Sequence, residues 1–128
     1  MPINFHWQDD AQKIFHCDLI GKWSWEEYDA MIERASEMIS AVDHEVSIIT
    51  DITQSAGMPM GSAMQHLRKT KYVLPLNVKT MISVGKYSVF SNAIINTFLK
   101  VYSQKRIKMM IVSTQAEAQK LLETEAVS

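Results

Sequence analysis

Two short runs constrain the fold more than any other feature of the sequence: residues 46–52, which are rich in β-branched residues, and residues 107–112, which are almost wholly apolar. Each has the length of a strand; the first predicts a buried strand, and the second has the pattern of a strand covered on both faces. Between and around them lie segments with apolar residues every three to four positions, the spacing of amphipathic helices. This alternation predicts an α/β fold with a largely parallel sheet and right-handed crossovers.

The remaining strands and helices follow from turn formers and periodicity. Ile3–Trp7 and residues 14–20 are predicted to pair as an opening β-hairpin across Gln8-Asp9-Asp10, and Val78–Val84 is a further strand. Helices are predicted over residues 25–42, 63–74, 88–102 and after Thr114. We therefore expect a mixed sheet of four to five strands with about four helices, the hairpin at one edge and the strands at 46–52 and 107–112 inside.

The start of the first helix carries a specific local signal. Ser24 and Glu27 have the Ser-x-x-Glu spacing of a capping box, and Trp23 and Tyr28 flank it as a hydrophobic staple would. The helix is thus predicted to begin at Trp25 and to pack one apolar stripe on the sheet.

Length and composition fit one folded domain covering residues 1–128, because 47% of the residues are hydrophobic and 21% are charged. The net charge of −1 conceals an asymmetry: residues 1–60 are acidic overall and residues 61–128 are basic overall. The basic residues are scattered and are not interleaved with aromatic residues, so we expect no nucleic-acid partner. Neither a membrane span nor a secretory signal is visible, and one cysteine forms no internal disulfide, so the expected compartment is the cytoplasm.

The sequence lacks the common signatures of enzymes and of cofactor sites. His6 and His16 could face each other across the hairpin, but a metal site there would need a third ligand from Asp18 or Cys17, which point to opposite faces. Cys17 shares a strand face with Phe15 and is expected to be a core residue. We therefore expect no catalytic centre, no metal and no cofactor.

The carboxyl ends of the predicted parallel strands are the places where ligands gather in open α/β sheets. Asp51, Gly85 and Ser113 lie at these carboxyl ends, and Ser62 is placed to cap the second helix. Two interpretations remain open: a functional edge, or a carboxylate that ends its strand and a serine that only caps. The neighbouring methionines and basic residues are candidates for a contact surface or pocket, although such methionines more often fill a core and such basic residues more often form a solvated face: Met58, Met60, Met64, His66 and Arg68.

The predicted third helix has an apolar stripe broader than one sheet contact requires. This predicts a homodimer that uses part of the stripe. The candidate dimer surface comprises Phe90, Ile94, Phe98 and Tyr102.

Three strings carry a family resemblance: Gly21-Lys22-Trp23-Ser24-Trp25-Glu26-Glu27-Tyr28, Ile48-Ile49-Thr50-Asp51 and His66-Leu67-Arg68. They resemble small SpoIIAA-like proteins, relatives of the anti-sigma-factor antagonist (STAS) domain and, by fold, of the CRAL-TRIO lipid-transfer domain. The resemblance implies helices packed chiefly on one side of the sheet, no catalytic centre and frequent self-association. It also implies a serine phosphorylated by a partner kinase within an Asp-Ser-Ser-Gly motif. The corresponding Met60-Gly61-Ser62-Ala63 keeps one serine and lacks the acidic neighbour and the second serine.

Together these features predict a non-enzymatic regulatory or protein-interaction domain. Its expected contact or phospho-acceptor surface comprises residues 53–62 and the start of the following helix, with Asp51, Ser62 and His66 among its members. The alternative is a carrier or sensor of a small hydrophobic or lipid-like ligand held between helices and sheet.

Overall fold

A mixed five-stranded sheet forms the framework of the computed structural model, which describes residues 3–56, 65–66, 69, 73–85 and 107–127. The strands are β1 (Ile3–Trp7), β2 (Ile14–Leu19), β3 (Val46–Asp51), β4 (Val78–Val84) and β5 (Lys108–Val112). They lie side by side in chain order; β1 is antiparallel to β2, and every later pair is parallel. The predicted α/β class, opening hairpin and mixed sheet are confirmed.

Two helices are defined within the described residues, α1 (Trp25–Ser40) and α2 (Gln115–Val127). Of the predicted second helix, Gln65, His66, Lys69 and Val73 are helical, whereas the predicted third helix lies outside the described residues. In this part of the chain, no helix combines the length and the apolar character needed to cross a membrane.

Helix α1 begins as its sequence predicts. The Ser24 hydroxyl accepts a hydrogen bond from the Glu27 amide, and the Glu27 carboxylate accepts one from the Ser24 amide, each at 3.1 Å. The rings of Trp23 and Tyr28 lie 5.8 Å apart and form the staple. At the other end, the Asn77 side-chain amide donates to the backbone carbonyl of Ile39, which the sequence did not indicate. Both ends of α1 are therefore fixed by side chains.

The two helices cover opposite faces of the sheet. The buried residues of α1 share a core with Phe15 and Cys17 of β2. On the other side, Ala118 of α2 packs with Ile49 of β3 and Ile82 of β4. Side chains alternate between faces along a strand, so these two clusters lie on different sides. This arrangement of the described helices differs from the one-sided packing that the family resemblance implied.

A bulge at the start of β4 adjusts its side chains to both cores. Val46 pairs with Val78, but the next residue, Ser47, pairs with Thr80, so Lys79 is the extra residue. Without this shift Val78 and Ile82 would face the same side, because their positions differ by four and side chains alternate with a period of two. With it, Val78 joins the α1 core and Ile82 joins the α2 core.

The predicted interior position of the last strand is wrong. Strand β3 lies inside the sheet as expected, but β5 pairs only with β4 among the described strands and forms the edge opposite the hairpin. The apolar run led to this error because it indicates that helices or loops cover the two faces, which does not require a hydrogen-bonded strand on each side. An exposed Lys108 is consistent with an edge strand.

Candidate functional site

Polar side chains occupy part of the sheet face that α2 covers. Helix α2 packs mainly against β3, β4 and β5. On the same face the β1–β2 hairpin carries His6, Gln8, His16 and Asp18, because these residues alternate with the strand residues that enter the α1 core. A polar hairpin face thus borders the apolar α2 core.

The two hairpin histidines face each other, as predicted. His6 pairs with His16 across the strands, and their rings stack with centroids 5.2 Å apart. His16 Nε2 lies 2.9 Å from Asp18 Oδ1, and its Nδ1 lies 3.2 Å from Gln8 Oε1. Both ring nitrogens therefore have an oxygen partner.

The structure shows which of Asp18 and Cys17 lies on the same face of the sheet as His6 and His16. Asp18 lies on this face, whereas Cys17 is buried on the α1 side with 1% of its surface exposed. Burial, together with the nearby Asp18 charge, raises the pKa of the Cys17 thiol, so the group stays protonated. The prediction that Cys17 is a core residue is confirmed.

Asp51 ends β3 next to Asp18, its partner in the parallel register of β2 and β3. Its Oδ1 accepts hydrogen bonds from the backbone amide and the hydroxyl of Thr53, at 2.8 and 2.6 Å. Its Oδ2 accepts from Gln115 Nε2 at 2.9 Å, which links β3 to the first turn of α2. The carboxylate therefore ends its strand as one of the two sequence interpretations proposed, and it also contacts α2.

The pKa of Asp51 reflects two opposing effects. Partial burial by itself raises this pKa, but the hydrogen bonds from Thr53 and Gln115, aided by the nearby His16, outweigh it and bring the pKa below its ordinary value. Asp51 is consequently ionised at neutral pH.

These side chains meet at the carboxyl end of β2 and β3. One ligand atom each from His16, Asp18 and Asp51 lies within 4.8 Å of the other two. A cleft of about 130 Å³ opens beside them. Its lining residues are Asp18, Leu19, Ile20, Asp51, Thr53 and Gln54.

A second group of contacts surrounds the start of α1. The Trp25 ring is perpendicular to those of Trp23 and Tyr28, at centroid distances of 5.0 and 5.3 Å. The Trp25 ring also stacks parallel to the His66 ring at 4.9 Å, and His66 Nδ1 lies 2.8 Å from a carboxylate oxygen of Asp29. His66 is therefore half-buried against α1.

The loop after β3 is attached to the same region. Ser55 forms an isolated parallel bridge with Gly21, and its hydroxyl accepts a 2.8 Å hydrogen bond from the indole N–H of Trp23. The backbone amide of Ala56 donates to the carbonyl of Gly21, also at 2.8 Å. Residues on both sides of segment 57–64 thus contact the start of α1 or the chain just before it.

Of the residues singled out in the sequence, Asp51, Gly85 and Ser113 lie at carboxyl ends of neighbouring strands, as predicted. Other predicted site residues lie outside the described residues: Met58, Met60, Ser62, Met64, Arg68, Phe90, Ile94, Phe98 and Tyr102. The association of Asp18 with Asp51 was missed, although both are carboxylates near the ends of apolar strands, and so was the contact of Gln115.

The described architecture defines the chain as an α/β protein with a mixed five-stranded sheet and a polar carboxyl edge. The sequence matches no protein-family model and no curated protein.

Proposed function

We propose that this chain is a non-enzymatic regulatory or protein-interaction domain that resembles anti-sigma-factor antagonists. Its contact surface comprises residues 53–62 and the start of the following helix. The observation that carries this proposal is the attachment of residues on both sides of segment 57–64 to the region where α1 starts.

Before the segment, the attachment is a set of short hydrogen bonds. Ser55 is 9% exposed and is held through Trp23, while Gln54 and Ala56 pair with the backbone of Gly21. Thr53 is bound to Asp51 by its amide and by its hydroxyl. Residues fixed in this way lose little further conformational entropy when a partner binds, which favours recognition.

After the segment, the attachment is the stack of His66 on Trp25 together with its contact to Asp29. Lys69 adds its ammonium group 3.7 Å from the same carboxylate. The exposed side chains of Thr53, Gln54, Gln65 and Lys69 are polar, which is typical of the rim of a transient protein interface.

The alternative proposal is a carrier of a hydrophobic or lipid-like ligand. The cleft at the end of β2 and β3 does not support it, because its volume of about 130 Å³ is well below the roughly 300–1,000 Å³ of ordinary small-molecule pockets. Carboxylate, hydroxyl and amide groups also line this cleft. We therefore rank the interaction domain first.

Native mass spectrometry of the purified chain separates these two proposals. We expect the mass of the bare chain or of its homo-oligomer, since an interaction domain needs no resident small molecule. A stoichiometric co-purifying lipid or hydrophobic compound would favour the carrier and overturn our ranking.

A matched pair of variants tests the surface itself. Ala56→Arg places a large charged group at an exposed position of the proposed surface, and Ala41→Arg makes the same change at an exposed position just after α1. In quantitative affinity capture from the native host, we expect specific partners to be lost with Ala56→Arg and retained with Ala41→Arg. Equal capture by both variants would contradict the proposed location.

A further inference from the structure

We propose that His16, Asp18 and Asp51 form a binding site for a divalent transition-metal ion at the carboxyl end of β2 and β3. This goes beyond the proposed interaction function and departs from the expectation that the chain binds no metal. It rests on the convergence of one imidazole nitrogen and two carboxylate oxygens, one from each residue, within 4.8 Å of one another.

The local charge favours a cation. Asp18 and Asp51 are paired residues of adjacent strands, and like charges in such positions destabilise a sheet. Among the described residues, neither carboxylate forms an ion pair with a lysine or an arginine; Asp18 has only His16 as its partner. A bound divalent ion would neutralise both carboxylates.

The donor atoms select a class of ion. Imidazole nitrogen combined with carboxylate oxygen is suited to Zn²⁺ and its first-row neighbours, while Mg²⁺ and Ca²⁺ prefer sites made only of oxygen. Ligand atoms around Zn²⁺ lie about 3–3.5 Å apart, as follows from its bond lengths. The 2.9 Å separation of His16 Nε2 and Asp18 Oδ1 is near that spacing. Asp18 is about one-third exposed, so its side chain has room to rotate.

Neighbouring side chains orient the ligands as they do in known metal sites. Gln8 Oε1 lies beside His16 Nδ1 and can accept a hydrogen bond from its N–H, which leaves the Nε2 lone pair for the ion. Gln115 and Thr53 donate to Asp51 and hold its carboxylate in place. His6 stacks on the His16 ring and restricts its rotation.

Three protein ligands leave further coordination positions for water or a small ligand. Two of the three ligands, Asp18 and Asp51, line the cleft of about 130 Å³, which has room for these molecules.

Isothermal titration calorimetry of the full chain, free of affinity tag and treated with chelator, tests the site directly. We expect saturable binding of one Zn²⁺ per chain and no saturable heat with Mg²⁺ at the same concentration. His16→Gln and Asp51→Asn should each weaken Zn²⁺ binding by about tenfold or more, since even outer-sphere changes cost roughly 10–100-fold. His44→Gln is the matched control, because His44 contacts the Gln12 carbonyl outside the ligand group.

Nuclear magnetic resonance of the unmodified chain gives a second readout that does not depend on variant stability. Zn²⁺ should shift the imidazole signals of His16 and leave those of His44 in place. Absence of saturable Zn²⁺ binding, equal affinity in all three variants, or a Zn²⁺ shift at His44 with none at His16 would overturn the proposal. If His16→Gln or Asp51→Asn fails to fold, Asp18→Asn takes its place, with circular dichroism in chelator as the folding control.

Discussion

The same substitution at two neighbouring tryptophans should have very different effects. Trp23 and Trp25 are 7% and 8% exposed, and their rings touch. The indole N–H of Trp23 donates to Ser55 Oγ at 2.8 Å, whereas the buried N–H of Trp25 has no acceptor within the described part of the chain. Replacing each by phenylalanine keeps an aromatic ring and removes only the N–H and part of the ring system.

The expected difference follows from these two N–H groups. Trp23→Phe loses a hydrogen bond worth about 0.5–1.5 kcal/mol, while Trp25→Phe removes an unsatisfied group whose burial costs about 1–3 kcal/mol. The lost ring volume is the same in both. Because these two effects add in the comparison, we expect Trp23→Phe to lower the free energy of unfolding by about 1.5–4.5 kcal/mol more than Trp25→Phe does. Trp25→Ala also removes the stack on His66 and the perpendicular ring contact with Tyr28, so it should cost more than Trp25→Phe. The expected loss is the roughly 3–5 kcal/mol of such truncations, reduced by the relieved burial penalty of the N–H group.

Urea unfolding followed by far-ultraviolet circular dichroism measures these differences, with equal m-values confirming that the variants share one unfolded reference. Equal losses from Trp23→Phe and Trp25→Phe would refute the reasoning, because they would mean that the Trp25 N–H is as well satisfied as that of Trp23.

Four further expectations can be checked with simple variants or with the unmodified chain. Ser24→Ala should cost about 0.5–2 kcal/mol in the same urea assay, because it removes the α1 cap; an unchanged midpoint would show that Glu27 alone suffices. Gly85→Ala should cost at least about 2 kcal/mol, since its Cβ would overlap Cγ1 of the buried Ile52. Gly21→Ala has open space around its Cβ and should cost about 1 kcal/mol because its φ is 61°. A larger loss from Gly21→Ala than from Gly85→Ala would contradict the packing at the end of β4. The pKa of Asp51 is lowered in the folded chain, so its carboxylate stabilises the fold above the ordinary carboxyl pKa, and this contribution is lost as the pH falls through the folded-state pKa. In chelator, the free energy of unfolding of Asp51→Asn should therefore depend less on pH below about pH 4 than that of the unmodified chain. Sedimentation velocity at micromolar concentration should give the mass of a homodimer, and a monomer would exclude the predicted use of the third helix.

Local features of the fold were predictable because their causes lie within a few residues. The capping box at Ser24, the staple of Trp23 and Tyr28 and the pairing of His6 with His16 each depend on short spacings, and the structure shows all three. The position of β5 depends instead on which strands pair, and an apolar run such as residues 107–112 carries no information about its hydrogen-bonded edges.

The candidate site shows the same division. His16, Asp18 and Asp51 each drew attention in the sequence, but nothing local places Asp51 beside Asp18. Their contact depends on the parallel register of β2 and β3, which α1 connects across about thirty residues of chain. Gln115 reaches Asp51 from a helix 64 residues further along. Such associations become visible only when strand order and register are known.

The reactivity of Cys17 can report on the local separation of α1 from β2. Cys17 is the one cysteine of the sequence, and its Sγ lies 3.6 Å from the Met31 sulfur of α1, closed off from solvent. The exposed thiolate is the form that attacks thiol reagents, and burial raises the Cys17 pKa, so labelling requires α1 to separate from β2. When reclosing is faster than the reagent, the labelling rate under native conditions measures the free energy of that separation. Partner binding or metal binding that stabilises the sheet should therefore be readable as slower labelling of the unmodified chain.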